Sequence, residues 1–268
     1  MTTLTRRVRL FIAANDEREA TDALNGYAGT PTPLGLGAHL ELDVTCGGVV
    51  DPSSGYLINI TEIDDATRRV VPRILREALV MGTTSDTGRV MIEINDAISQ
   101  ELPVPVTRLC LHLTPTAHIA LRPSDMNTPI THVLKTQSFS FAASHRLHNP
   151  TLSDDENRRV YGKCNNPNGH GHNYRVDVSI RVPIGFEECS FERLEEVVGE
   201  VIIDRYDHKH LNLDTDDFDG TPASVENITA RCVDLLSSCI PERLSGAALE
   251  RVRVWETDKT YATIELSG

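Results

Sequence analysis

The sequence predicts an α+β fold made of two tandem units, each an antiparallel four-stranded sheet with two helices on one face. Three observations lead there. Apolar and polar residues alternate with period two in several stretches, the pattern of half-buried strands. Other stretches carry apolar residues at helical spacing. The two halves of the chain can also be laid over one another. Gly35–Cys46 (GLGAHLELDVTC) falls on Gly169–Ile180 (GHGHNYRVDVSI), with two glycines and Asp43/Asp177 in step. Arg108–Thr114 (RLCLHLT) falls on Arg251–Thr257 (RVRVWET) in the same way. A repeat of about 130 residues is too long for a solenoid and reads as a duplicated domain.

Each half offers two early strands, a helical middle and two late strands, the order β-β-α-α-β-β. In the first half the N-terminal MTTLTRRVRLFIAANDE has basic residues and a short apolar run that stops at Ala14. That run is too short for a signal-peptide core. ITEIDDATRRVVPRILREAL is the clearest helix, and Pro72 must kink it or mark its restart. Arg122–His132 (RPSDMNTPITH) has two prolines and little apolar content, the composition of a linker. The predicted domains are 1–121 and 134–268, joined by 122–133.

In the second half Phe139, Phe141, Ala143 and His145 share one parity, as do His170, His172, Tyr174, Val176, Val178, Ile180 and Val182. FERLEEVVGEVIIDRY has helical spacing, and so has SVENITARCVDLLSSC, with Ser224 as its N-cap. RVRVWETDKTYATIEL reads as a closing hairpin that turns near Asp258–Lys259.

The chain has 268 residues, 40% hydrophobic and 24% charged, enough to bury a core of ordinary size. A formal net charge of -13 argues against nucleic acid or an anionic membrane as a bulk partner. No stretch is apolar for long enough to span a bilayer. Six cysteines with no C-x-x-C pair read as reduced thiols, which places the protein in the cytoplasm.

YGKCNNPNGHGHNY (Tyr161–Tyr174) packs a thiol, turn formers and an H-x-H pair into one segment. His170 and His172 are two apart on a strand, so they share a face. His145 ends the preceding strand on its apolar face. If those strands pair, three imidazoles converge, and three histidines with an open fourth position is the geometry of catalytic zinc. The plainer reading is three unrelated histidines satisfied by hydrogen bonds, but their matching faces favour the site. Cys164 sits in a polar loop beside that cation site and Lys163, where a thiolate is favoured. Asp207–His208 can tune an imidazole for proton transfer or be a solvated loop. Glu256 shares parity with Val252 and Val254. It either reaches solvent at the strand end or meets a ligand offering two N–H donors.

FSFAASHRL, YGKCNNPNGHGHNY, DHKHLNLD, SVEN and VWETD, in this order, resemble the 6-pyruvoyl-tetrahydropterin synthase family over about Leu134–Leu266. The resemblance implies a tunnelling fold (T-fold) whose subunits build a β-barrel with active sites at their interfaces. It implies His145, His170 and His172 as zinc ligands, Cys164 as the catalytic thiol, and Asp207 and His208 as its proton-transfer partners. Glu256 is implied as the pterin anchor, with Ser224, Val225 and Glu226 at the substrate. The reaction implied converts 7,8-dihydroneopterin triphosphate to 6-pyruvoyltetrahydropterin and triphosphate. A related enzyme on the same scaffold, 6-carboxytetrahydropterin synthase of deazapurine biosynthesis, typically has three residues between the cysteine and the H-x-H pair. Here there are five, Asn165 to Gly169, which favours the pyruvoyl branch. A pterin-binding protein with an impaired site and a zinc-binding structural protein are the non-enzymatic alternatives.

Two departures from the family pattern stand out. Val225 occupies a position where the family usually has a hydroxyl residue. PIGFEECSFERLEE is also shorter than the family's corresponding segment, which the first half keeps as GGVVDPSSGYLINITEID. In the first half Leu36 and Ala38 replace the H-x-H histidines, Asp16 replaces the strand-end histidine and Leu113 replaces Glu256. No cysteine precedes Gly35 and no Asp-His pair occurs. The expectation is a first half without zinc or catalytic residues. In the family three subunits form a ring and two rings stack, so three two-unit chains give a homotrimer, a pseudo-hexamer.

Overall fold

The computed structural model describes residues 1–13, 29–33, 35–82, 86–122, 130–186 and 188–266. The chain divides into two compact units, one of residues 1–135 with 182–187 and one of residues 136–181 with 188–268. Most of the expected linker, and Asp16, lie outside the described residues.

In the first unit β1 (Thr2–Ile12), β2 (Ala38–Gly48), β3 (Val106–His112) and β4 (Ala117–Leu121) pair in that order, each antiparallel to the next. Two helices lie between β2 and β3 in sequence, α1 (Ile60–Met81) and α2 (Thr87–Glu101). Asn59 caps α1 by accepting from Thr61 N, and Gly82 closes it in the left-handed conformation. The helix runs on through Pro72 without a restart. One apolar stripe spans both sides of the proline, from Ile63 and Ala66 to Val71, Ile74 and Ala78, and its burial outweighs the lost hydrogen bond. Leu42, Val44, Ile63, Ile94, Ile98 and Leu109 are fully buried at its core.

In the second unit the strand order is β5 (His132–His145), β6 (His170–Pro183), β8 (Ala248–Thr257), β9 (Thr260–Glu265), and the short β7 (Lys209–His210) runs parallel to β5. Tyr174, Val176, Val178 and Ile180 are buried, while Asn173 and Arg175 are exposed, which is the expected alternation; Ser179 departs from it, buried with its hydroxyl bonded to Thr136 and Arg251. The hairpin β8–β9 turns at Asp258–Lys259. The predicted helix over FERLEEVVGEVIIDRY is α4 (Phe191–Val198), a π turn (Gly199–Ile203) and the single turn α5 (Asp204–Tyr206). Ser224 caps α6 (Val225–Arg243), its Oγ 3.4 Å from Asn227 N. One helix escaped the sequence reading, α3 (Asp154–Tyr161). Its signal is SDDE, a capping box in which Ser153 and Glu156 satisfy each other's backbone N–H groups.

The same strand register appears in both units. Asp43 faces Cys110 and Thr45 faces Arg108; Asp177 faces Arg253 and Ser179 faces Arg251. The register then slips after Thr45 in β2 and after Ser179 in β6, positions that coincide when the halves are overlaid. A slip is a costly, specific feature of a ladder, so its recurrence carries more weight than alternation alone.

The segment between β7 and α6 is pinned by Asp217, whose side chain is only 2% exposed and which accepts from Arg205, Arg231 and the Tyr206 hydroxyl. The Arg205 guanidinium, helped by Tyr206 and Arg231, holds this carboxyl down at about 2. A depressed carboxyl stabilises the fold above its ordinary pKa of about 4 and loses that contribution as pH falls toward 2. We expect Asp217→Asn to cost about 1–2 kcal/mol at pH 7, the partly exposed arginines moderating the effect, and almost nothing at pH 2. Urea midpoints across that range check this; a penalty that does not shrink with acid contradicts it.

Candidate active site

Three imidazoles meet in the second unit. His145 ends β5 and is fully buried; His170 and His172 open β6 and are partly buried. One ligand atom from each lies within 4.8 Å of the others, and His145 Nε2 is 3.2 Å from His170 Nε2. Two nitrogens about 2.0–2.1 Å from a tetrahedral zinc are about 3.3 Å apart, so this spacing suits a shared cation. His145 Nδ1 donates to the Ala223 carbonyl at 2.6 Å, which leaves Nε2 to point at its neighbours. Burial pushes His145 down to about 4 and lowers His170 as well, so both are neutral near pH 7, the state a metal ligand needs. His170 Nδ1 and His172 Nε2 are buried and have no hydrogen-bond partner. A buried orphan nitrogen is costly, and at His172 Nε2 a cation would satisfy it. The three residues therefore fit zinc.

Glu256, at the end of β8, brings Oε1 to 3.5 Å from His145 Nε2 and 3.8 Å from His172 Nε2. Its side chain is 19% exposed, so the carboxylate faces the imidazoles rather than bulk water. The Tyr174 hydroxyl lies 3.3 Å from His145 Nδ1, an interaction the sequence reading did not assign.

Cys164 lies on a short 3-10 turn (Gly162–Asn165) and is partly buried. Its carbonyl accepts from Leu147 N at 2.9 Å, and Arg146 Nε donates to the Asn165 carbonyl at 3.2 Å. The thiol loop is thus tied to the two residues that follow His145. Gly169 closes that loop with φ +70°. A Cβ there would stand 2.9 Å from the His145 carbonyl oxygen and 2.8 Å from His210 Nε2. Gly169→Ala is therefore expected to cost about 1–3 kcal/mol and to weaken metal retention, because both strain and clash fall on the ligand strand. Thermal unfolding with zinc analysis checks this, and an unchanged midpoint with full zinc contradicts it.

Asp207 Oδ1 accepts from Ala142 N at 2.8 Å, and Oδ2 is 2.7 Å from His208 Nδ1. The Ala142 N–H, with His208 second, holds the Asp207 carboxyl below its usual range. His208 has φ 57°, unusual for a residue with a side chain, and its ring is exposed. An open cavity of about 560 Å³ is lined by Ala142, Ser144, His172, Asn173, His208 and His210, so one imidazole of the cluster and His208 border the same space. Neither Cys164 nor Glu256 lines it.

At the start of α6, Ser224 Oγ is engaged as the cap, Val225 is buried and Glu226 is exposed. Val225 has no polar side-chain group, and its carbonyl accepts from Thr229 Oγ1 at 2.7 Å.

In the first unit Leu36 is exposed and Ala38 opens β2, so neither supplies a ligand. The sequence showed no adjacent Asp-His pair there, yet the fold makes one across strands. His112 Nε2 is 3.0 Å from Asp43 Oδ2, with Cys110 close by. Arg7 donates to both Asp43 oxygens at 2.6 and 2.8 Å. That guanidinium already neutralises the carboxylate where a cation would sit, so the cluster is an ion-pair network.

The six cysteines are free, and among the described residues no helix is long and apolar enough to cross a membrane. A family model described as 6-pyruvoyl tetrahydropterin synthase matches residues 135–267. The 6-pyruvoyl tetrahydrobiopterin synthase of Poecilia reticulata is 40% identical over 133 residues, covering 48% of this chain and 86% of the relative. That of Drosophila melanogaster is 44% identical over 127 residues, covering 46% of this chain and 74% of the relative. Uricase from Arthrobacter globiformis is similar in fold alone, with a TM-score of 0.51 and 10% identity, covering 99% of this chain and 93% of that one. With the imidazole cluster, the thiol loop and Glu256 all inside the matched segment, the chain belongs to the 6-pyruvoyl tetrahydropterin synthase family.

Proposed function

We propose that the second unit converts 7,8-dihydroneopterin triphosphate to 6-pyruvoyltetrahydropterin and triphosphate. The observation that carries this is the convergence of His145, His170, His172 and Glu256 in a segment up to 44% identical to named synthases. Zinc held by the three imidazoles would polarise the oxygens of the substrate side chain and acidify the neighbouring C–H and O–H bonds. Cys164, as thiolate, takes a proton from the side-chain carbon. His208, oriented through Nδ1 by Asp207, relays protons. Triphosphate leaves as its C–O bond breaks, and tautomerisation completes the pyruvoyl group with no external oxidant or reductant. Glu256 receives two N–H groups of the amino-pyrimidine edge, and Ser224, Val225 and Glu226 border the substrate from the start of α6.

We read residues 1–121 as a T-fold unit that lacks zinc and catalytic groups, 122–133 as a linker and 134–268 as the catalytic T-fold unit; the recurrent register and slip support the tandem. Working in the cytoplasm, three chains of 29.6 kDa assemble as a homotrimer with three active sites. Light scattering that gives a stable monomer or a hexamer contradicts that assembly.

The experiment for the reaction is to incubate zinc-loaded protein with 7,8-dihydroneopterin triphosphate and identify the product by mass. The pyruvoyl product with free triphosphate is expected. A carboxy product assigns the chain to the deazapurine branch, and binding without turnover makes it a pterin-binding protein; either overturns the proposal.

A further inference from the structure

Asp217 lies outside every group given a chemical role above, yet three of those groups connect through it. Its two oxygens receive Arg205 (Nη2 at 2.6 Å, Nε closer still), the Tyr206 hydroxyl at 2.9 Å and Arg231 at 2.9 Å. Arg205 and Tyr206 form the turn that ends immediately before Asp207, so this arm holds the Asp207–His208 pair from behind. On its other side the pair is tied to Ala142, whose N–H donates to Asp207 Oδ1 and whose carbonyl accepts from His208 N, while Asp207 N donates to the Ile203 carbonyl. The left-handed backbone of His208 does not persist unaided, so both restraints matter.

Arg231 stands on α6, two turns beyond the Ser224 cap, and this second arm fixes the start of that helix. The loop that carries Asp217 also runs into Ala223, the acceptor for His145 Nδ1. Tyr206 packs on Phe141 at 5.8 Å between ring centroids, and Phe141 stacks on Tyr174 at 5.0 Å, next to His145.

Removing a buried anion from between two guanidinium groups releases both arms. We propose that Asp217 is a positioning residue for the reaction: it sets the proton-relay pair through Arg205 and the substrate-facing end of α6 through Arg231. The proposal rests on the synthase reading and adds a claim of its own, that the two arms act on different kinetic steps.

The test compares the full-length zinc-loaded protein with Arg205→Gln, Arg231→Gln and Asp217→Asn. Arg205→Gln is expected to lower kcat about 10-fold with KM unchanged, because relay geometry matters only in the reacting complex. Arg231→Gln is expected to raise KM about 5-fold with kcat unchanged, because it loosens the end of α6 that binds substrate. Asp217→Asn is expected to show both effects, and zinc content to stay at the wild-type level in all three. Lowered melting temperatures with wild-type kcat and KM, or the same kinetic change in both arginine variants, overturn the proposal. If the wild type itself forms no pyruvoyl product, the synthase reading fails, and the relay arm is still decided by nitrogen-15 histidine NMR. There the Nδ1–H of His208, bonded to Asp207 in the wild type, is expected to lose that bond in Arg205→Gln; an unchanged spectrum overturns the relay arm.

Discussion

Cys164→Ala is expected to keep its zinc and its fold and to lose triphosphate elimination by about 10³-fold, the usual range for removing a general base being about 10²–10⁴. The argument is geometric. His145, His170 and His172 offer three ligand atoms within 4.8 Å of one another, so in the proposed site the thiol is not needed to hold the metal. Its loop is held through its own carbonyls by the Leu147 N–H and the Arg146 side chain, and neither contact involves the sulfur. Removing Sγ therefore takes away a base without loosening the loop. Single-turnover release of triphosphate, with metal analysis on the same sample, measures both halves of the expectation. Zinc lost together with the sulfur makes Cys164 a ligand, and turnover that survives removes its catalytic role.

The second large effect is expected from His170→Ala. It deletes one imidazole of three and leaves His145 Nε2 without the neighbour 3.2 Å away. Two histidines do not make a closed set for zinc, and the first unit offers no replacement, because Leu36 and Ala38 stand where its histidines would be. Zinc retained after dialysis should fall from one per chain to nearly none, and turnover should fall with it. Unchanged zinc in this variant refutes the ligand set. The fold should survive, since His170 lies at the open end of β6 and the fully buried part of that strand begins at Tyr174.

The parts of this molecule that were legible in the sequence are those written in a local period or a cap. The alternation of β6, the Ser224 cap and the hairpin at Asp258–Lys259 each follow from residues a few positions apart. The convergence of His145 with His170 and His172 was legible because strand parity fixes the face of each side chain, and only the pairing of β5 with β6 had to be supplied. What escaped has other causes. The eight residues of α3 are mostly charged and bury only Asn157, so no apolar period marks the helix and its capping box is its one local signal. The two residues of β7 are too few to show a period, and they pair with a strand more than sixty positions away. The Asp43–His112 pair and the Arg205–Asp217–Arg231 clamp are made by chain reversal across strands and loops, so no spacing announces them. At Pro72 the sequence left a kink or a restart open, and the restart does not occur, because tertiary burial of the α1 stripe outweighs a local helix breaker.

The central claim is that one unit of the two carries the whole metal-and-thiol site. Adding zinc stepwise to metal-free protein while following formation of the pyruvoyl product tests it most directly. Turnover should rise linearly and saturate at one equivalent per chain. Saturation at two equivalents, or full turnover before any zinc is added, would contradict it.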